Sequence, residues 1–143
     1  MKVLLDTNVL LDVLAQRAPF YADSAEVWTL AETGQIAGFA SALSLPNLYY
    51  IMRRQKGAKA ACKTVGRLRD LFALVPLDQQ IINQATDAAI ADFEDAIQYF
   101  SALRAQCDVL ITRNTGDFSG AEIAIQTPTE FLATLRFKSG GEA

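Results

Sequence analysis

The sequence predicts an α/β fold with a mainly parallel, about five-stranded central sheet covered by helices on both faces. Three observations carry that prediction. Short apolar runs recur along the chain, segments with helical apolar spacing separate them, and Gly, Pro and Asp signals mark the boundaries. Strands alternating with helices make βαβ units, whose right-handed crossovers place the strands parallel. Ligands of such sheets sit beyond the carboxyl ends of the strands.

The elements follow in order. Met1–Asp6 (MKVLLD) is a buried strand that ends on a carboxylate and leads into a turn or helix at Thr7-Asn8. Residues Tyr21–Glu32 carry Ala22, Ala25, Val27, Trp28 and Leu30 at mostly helical spacing, and Gly34 offers a stop. Ile36–Ala40 reads as a second strand. Ser41–Arg54 sets Leu45, Leu48, Tyr49 and Met52 at i, i+3, i+4 and i+7, a helix that tolerates Pro46 in its first turn and ends at Gly57. Lys59–Phe72 is a further helix with Cys62, Val65, Leu68, Leu71 and Phe72 as its apolar stripe. Ala73–Leu77 reads as a strand. Asp78 caps a helix running to about Ile90 and Asp92 one running to about Gln106. Val109–Thr112 and Glu122–Gln126 are the last two strands. Thr127-Pro128-Thr129-Glu130 supplies a cap, a first-turn proline and an acidic first turn to a helix ending near Phe137. The expectation is one domain over residues 1–137 and a disordered tail over 138–143.

With 143 residues, 51% hydrophobic and 20% charged, the chain is long enough to bury a core without a disulfide or structural metal. It contains no histidine, which excludes Ser-His-Asp triads, histidine zinc sites and imidazole bases. Any catalysis must use carboxylates, lysines, cysteines or metal-bound water. Cys62 and Cys107 stand apart in apolar, helix-like sequence, as inert, partly buried thiols of a reducing, cytoplasmic compartment. No secretory signal is visible, and the uncharged stretch 33–52 contains Gln35, Ser41, Ser44, Pro46 and Asn47, so it reads as core rather than as a membrane span.

Acidic groups fall where this architecture puts a site: Asp6 after the first strand, Asp92-Phe93-Glu94-Asp95 at a helix start, and Asp117 after the fourth strand. Singly, each is explained by helix-dipole or turn preferences. Together they repel, by roughly 4 kcal/mol for two charges 4 Å apart at an effective dielectric near 20. Asp6 is followed by Thr7 and Asn8 with no adjacent base, so a hard divalent cation is the simplest partner. Oxygen ligands without His or Cys favour Mg²⁺ or Mn²⁺ over zinc.

VLLDTNVLLDVL, FASALSLPNLYYI, DFEDAIQYFSAL and DVLITRNTGDF, in that order and spacing, resemble the PIN-domain ribonucleases, and most closely the small prokaryotic PIN proteins, among them the VapC-type toxins of toxin–antitoxin pairs. The resemblance covers nearly the whole chain. It implies a three-layer α/β/α sandwich and metal-dependent hydrolysis of RNA phosphodiester bonds. It also implies catalytic, metal-binding Asp6, Asp95 and Asp117, with Asp92 as a fourth ligand. Thr112, Asn114 and Asp117 match the family's T-x-N-x-x-D run. Asn8, Thr112 and Asn114 are candidates to contact phosphate or orient the aspartates. Many PIN domains have a glutamate in the helix after the second strand, and Asn47 stands at the corresponding position; it offers an oxygen without a charge, which Asp92 or Glu94 would have to supply. Relatives are often dimers, and a toxin requires an antitoxin protein. The alternative is a PIN-like module that binds RNA or protein without cutting. A phosphatase on a doubly wound sheet is disfavoured, because Asp6-Thr7-Asn8 lacks the D-x-D nucleophile motif.

The net charge of −3 is unevenly spread: residues 53–70 carry +6 and the remainder −9. Arg53, Arg54, Lys56, Lys59 and Lys63 are the candidate RNA-backbone contacts, with Arg67 and Arg69 extending the run. Phe20, Tyr49 and Tyr50 read more readily as core or interface than as base-stacking platforms.

Overall fold

The computed structural model describes residues 1–118 and 120–141. It contains five strands, β1 (Lys2–Leu5), β2 (Ala37–Ser41), β3 (Ala73–Val75), β4 (Val109–Ile111) and β5 (Ala124–Gln126). All pair in parallel, in the order β3-β2-β1-β4-β5. The helices are α1 (Thr7–Leu14), α2 (Tyr21–Glu32), α3 (Ser44–Lys56), α4 (Ala58–Leu71), α5 (Gln79–Asp87), α6 (Phe93–Arg104) and α7 (Pro128–Gly141).

Strand alternation divides the core. Val3 and Leu5 of β1, with Val109 and Ile111 of β4, face a cluster built with Val9, Leu10, Val27, Trp28, Leu48, Leu68, Phe131 and Leu132. Those residues belong to α1, α2, α3, α4 and α7. Leu4 and Leu110 face the other way, onto Ile81 and Ala85 of α5 and Ala96, Ile97, Tyr99 and Ala102 of α6. The result is the expected three-layer α/β/α sandwich. Gly38 of β2 permits the close packing of Phe72, since a Cβ there would stand 2.8 Å from the ring.

Boundaries differ from the sequence reading by a few residues, with two informative differences, and the choice of turn or helix after Asp6 is resolved. Thr7-Asn8 opens a full helix, because the Asp6 side chain accepts from the Thr7 amide at 2.6 Å and caps α1. A 3-10 turn over Thr115–Asp117, with no apolar periodicity to announce it, follows β4. Helix α7 continues to Gly141, past the expected stop at Phe137 and into the expected tail, of which residues 142 and 143 lie outside the described residues.

Cys62 is exposed rather than partly buried, whereas Cys107 is buried and its thiol is pushed up to about 11 by desolvation, so it stays protonated. Among the described residues no helix is long and apolar enough to cross a membrane, and the uncharged stretch 33–52 is divided between β2 and α3.

Candidate active site

The strand order reverses at β1. From there the chain builds outward through β2 and β3, then returns to the opposite side of β1 with β4 and β5. The carboxyl ends of β1 and β4 therefore form the topological switch point, where doubly wound sheets bind ligands. Asp6 and Thr112 are the first residues past those two ends.

Thr112, fully buried, is a hub. Its hydroxyl donates to Asp6 Oδ2 at 2.8 Å and accepts from the Asn114 amide at 3.2 Å and from Asn8 Nδ2 at 3.4 Å. Asn8 Oδ1 accepts in turn from the Arg113 amide at 3.4 Å. The neutral residues singled out from the sequence thus orient Asp6 and the loop after β4.

Helix α6 enters from the opposite layer. Asp92 is its N-cap, Oδ1 accepting from the Asp95 amide at 2.9 Å, and Glu94 and Asp95 occupy its first turn. Asp117 comes from the 3-10 turn. Asp6, Asp92, Glu94, Asp95 and Asp117 line one cavity of about 330 Å³ together with Thr7, Asn8, Leu11, Arg17 and Asn114.

The carboxylates feel one another. Burial pushes the Asp6 carboxyl above the ordinary carboxylate range, aided by the charges of Asp92 and Glu94 and opposed by the hydrogen bonds from Thr112 and Thr7. Asp95 is pushed up to about 7, first by burial and then by the charges of Asp6, Asp92 and Asp117. Oxygen donors of high negative charge fit a hard divalent cation. Among the described residues, however, no three acidic groups already converge on one ligand position. Asp6 and Asp95 are buried, while Asp92, Glu94 and Asp117 are exposed.

Asn47 makes no side-chain hydrogen bond to the carboxylates among the described residues. Neither Asn47 nor Ser44 lines the cavity, and the α3 residue that contacts the cavity-lining Thr7 is Ser44. The Ser44 and Thr7 hydroxyls are 2.6 Å apart, and Gln98 Nε2 of α6 donates to Ser44 at 3.2 Å and to Thr7 at 3.3 Å. Ser44 is the first residue of α3, next to the end of β2, and Asn47 follows three residues, roughly 4.5 Å, along the axis.

Sequence reasoning also missed Arg17, the one basic residue lining the acidic cavity, and buried Asp12, whose Oδ1 holds Arg17 Nε at 2.8 Å. Ser44 and Gln98 were likewise unmarked in the sequence. Arg53, Arg54, Lys56, Lys59 and Lys63 are exposed, and none lines this cavity. Lys56 and Lys63 join Arg67, Trp28, Tyr21 and Met52 around a separate groove of about 500 Å³ between α1, α2, α3 and α4.

Arg113 lies over the Phe20 ring at 4.2 Å, and Tyr49 and Tyr50 pack edge-to-face on each other.

Several proteins share this architecture. A toxin–antitoxin complex from Klebsiella pneumoniae contains a chain of the same fold with 21% identity and a TM-score of 0.67, the alignment covering 88% of this chain and 97% of that one. FitAcB from Neisseria gonorrhoeae aligns with 23% identity and a TM-score of 0.66, over 89% of this chain and 98% of the other. A sarcin-ricin-loop-cleaving toxin from Mycobacterium tuberculosis aligns with 16% identity and a TM-score of 0.65, over 85% and 96%. No curated protein matches the chain. The family model for the PIN domain matches residues 2–116, which include the β1–α1 start, the acidic first turn of α6 and β4 with the loop after it; the chain belongs to the PIN-domain family.

Proposed function

We propose that the protein is a divalent-metal-dependent endoribonuclease acting on RNA phosphodiester bonds, and the toxin of a toxin–antitoxin pair. The observation that carries the proposal is that five carboxylates line the cavity at the β1–β4 switch point, two of them buried and pushed towards neutrality. A purely structural domain has no reason to keep such a cluster.

Asp6, Asp95 and Asp117 would hold Mg²⁺ or Mn²⁺, with Asp92 and Glu94 in reach. Once bound, the cation would activate water and neutralise charge on the scissile phosphate, replacing the absent histidine base. Thr112 and Asn8 keep the Asp6 carboxylate oriented. Exposed Asp117 and Glu94 are free to turn towards a cation, while buried Asp6 and Asp95 are the fixed part of the set. The basic residues of α3 and α4 would hold the RNA backbone away from the chemistry. A chain of the same fold in the toxin–antitoxin complex from Klebsiella pneumoniae supports an antitoxin protein as partner, and a homodimer is part of the proposal.

The test is incubation with a panel of RNAs in Mg²⁺, Mn²⁺ or EDTA, beside Asp6→Asn. Cleavage that needs both the metal and Asp6 supports the proposal. RNA binding without cleavage would instead favour a PIN-like binding module, a reading supported by the uncharged Ser44 and Asn47 in the first turn of α3.

A further inference from the structure

Arg17 is placed by a local motif. Helix α1 is capped by Ala15 and followed by Gln16 at φ 50°, and two backbone bonds run from Gln16 N to Val13 O (3.3 Å) and from Arg17 N to Asp12 O (3.0 Å). That is a Schellman closure, with a glutamine in the left-handed position that glycine usually fills. It turns the chain back over the last turn of α1, so that Arg17 meets Asp12 twice, through its backbone amide and through Nε at 2.8 Å from Oδ1.

The pairing satisfies only part of the guanidinium. Among the described residues, no acceptor engages its two terminal nitrogens, and none of the five cavity carboxylates forms an ion pair with it. An unrestrained arginine beside five carboxylates would fold onto one of them and obstruct a cation. Asp12 prevents this. Nor does Asp12 need Arg17 for neutralisation, since Arg113 Nε stands 2.8 Å from its other oxygen. The Arg113 N–H is misaligned and completes no hydrogen bond, but its charge is in contact. One buried carboxylate therefore carries two guanidiniums, leaving the Asp12–Arg17–Arg113 group with one formal positive charge in excess beside the acidic cavity.

We propose that Arg17 is a phosphate-binding residue of the site, presenting its terminal guanidinium nitrogens to the RNA phosphodiester, and that Asp12 is the positioning residue that holds it clear of the metal-binding carboxylates. A guanidinium with Nε occupied and both terminal nitrogens free suits bidentate contact with phosphate oxygens. The inference rests on the ribonuclease reading for its substrate, and its charge logic concerns phosphate alone.

The test measures binding of a fluorescein-labelled single-stranded RNA in Ca²⁺, together with kcat and KM for cleavage in Mg²⁺ or Mn²⁺, for the wild type, Arg17→Gln, Arg17→Lys and Asp12→Asn. Arg17→Gln should weaken RNA binding by about 10- to 100-fold and reduce the salt slope by about one, measured at a temperature where both proteins are fully folded, because taking Arg17 from buried Asp12 also lowers the melting temperature. Arg17→Lys should recover only part of the binding, because an ammonium cannot both pair with Asp12 and contact phosphate bidentately. Asp12→Asn should lose binding as Arg17→Gln does; if it fails to fold, Arg17→Gln and Arg17→Lys still decide. Wild-type affinity and salt slope in Arg17→Gln, or a loss that follows melting temperature alone, would overturn the assignment. RNA binding that depends on Arg17 without any cleavage by the wild type would sink the nuclease reading and leave Arg17 in place. Cleavage that ignores Arg17 would do the reverse.

Discussion

The Thr112 hydroxyl donates to Asp6 Oδ2 at 2.8 Å, joining the residues that follow β4 and β1 across the switch point of the sheet. Because that hydroxyl also accepts from Asn8 and from the Asn114 amide, one buried side chain fixes the first catalytic candidate and the loop leading to Asp117. Thr112→Val keeps the shape but leaves these groups without their partner, so it should cost roughly 1–3 kcal/mol of stability and lower cleavage. Thr112→Ser should restore most of both. Chemical denaturation and initial cleavage rates make the comparison; a Thr112→Val protein as stable and active as wild type would remove Thr112 from the site.

Asp95, with Asp6 shifted in the same direction, should make the metal-free protein less stable as pH rises. With the folded value of Asp95 raised to about 7, against an unfolded value near 3.9, the folded state binds the extra proton between the two. Unfolding free energy should therefore fall as pH rises from about 4 to about 7. In EDTA, Asp95→Asn should be more stable than wild type at pH 8, with the advantage vanishing near pH 4. Denaturant titrations at the two pH values measure it, and a variant less stable at pH 8 would make Asp95 a structural residue.

Divalent metal should reverse the same penalty. Mn²⁺ at about 100 times its Kd should stabilise the wild type by about 2.7 kcal/mol. Asp6→Asn and Asp117→Asn should lose most of that gain, and each should cut RNA cleavage at least roughly 100-fold. A thermal shift that persists in both variants would place the metal elsewhere.

Asn47→Asp tests where α3 meets the site. Since Asn47 does not line the cavity, the new carboxylate should change stability by no more than about 0.5 kcal/mol and leave the Mn²⁺ titration unchanged. Tighter Mn²⁺ binding together with a metal-reversible loss of stability would return Asn47 to the site.

The basic segment is a separate test of the RNA reading. Changing Arg53, Lys56 and Lys63 to Ala together should weaken binding to all RNA sequences alike and flatten the salt dependence. Cleavage preference should survive. Unchanged affinity and salt slope would make the segment a solvated face.

The sequence by itself determined the parallel α/β sheet and three of the four aspartates expected from the resemblance as lining one end of it by simple local rules. Asp6 terminates an apolar run, while Asp92 and Asp95 open a periodic helix. Each is bound to an element whose period is written in adjacent residues. Asp117 was placed by its T-x-N-x-x-D run, although the 3-10 turn that carries it has no period to read. Only the tertiary structure decided that Ser44 rather than Asn47 meets Thr7 and Gln98, and that Arg17 shares a cavity with the carboxylates. Those facts depend on where α3 begins relative to the sheet edge and on a left-handed glutamine that closes α1. Such placements are set by packing between segments distant in sequence and by a backbone conformation that glutamine rarely adopts, and neither leaves a periodic trace in the chain.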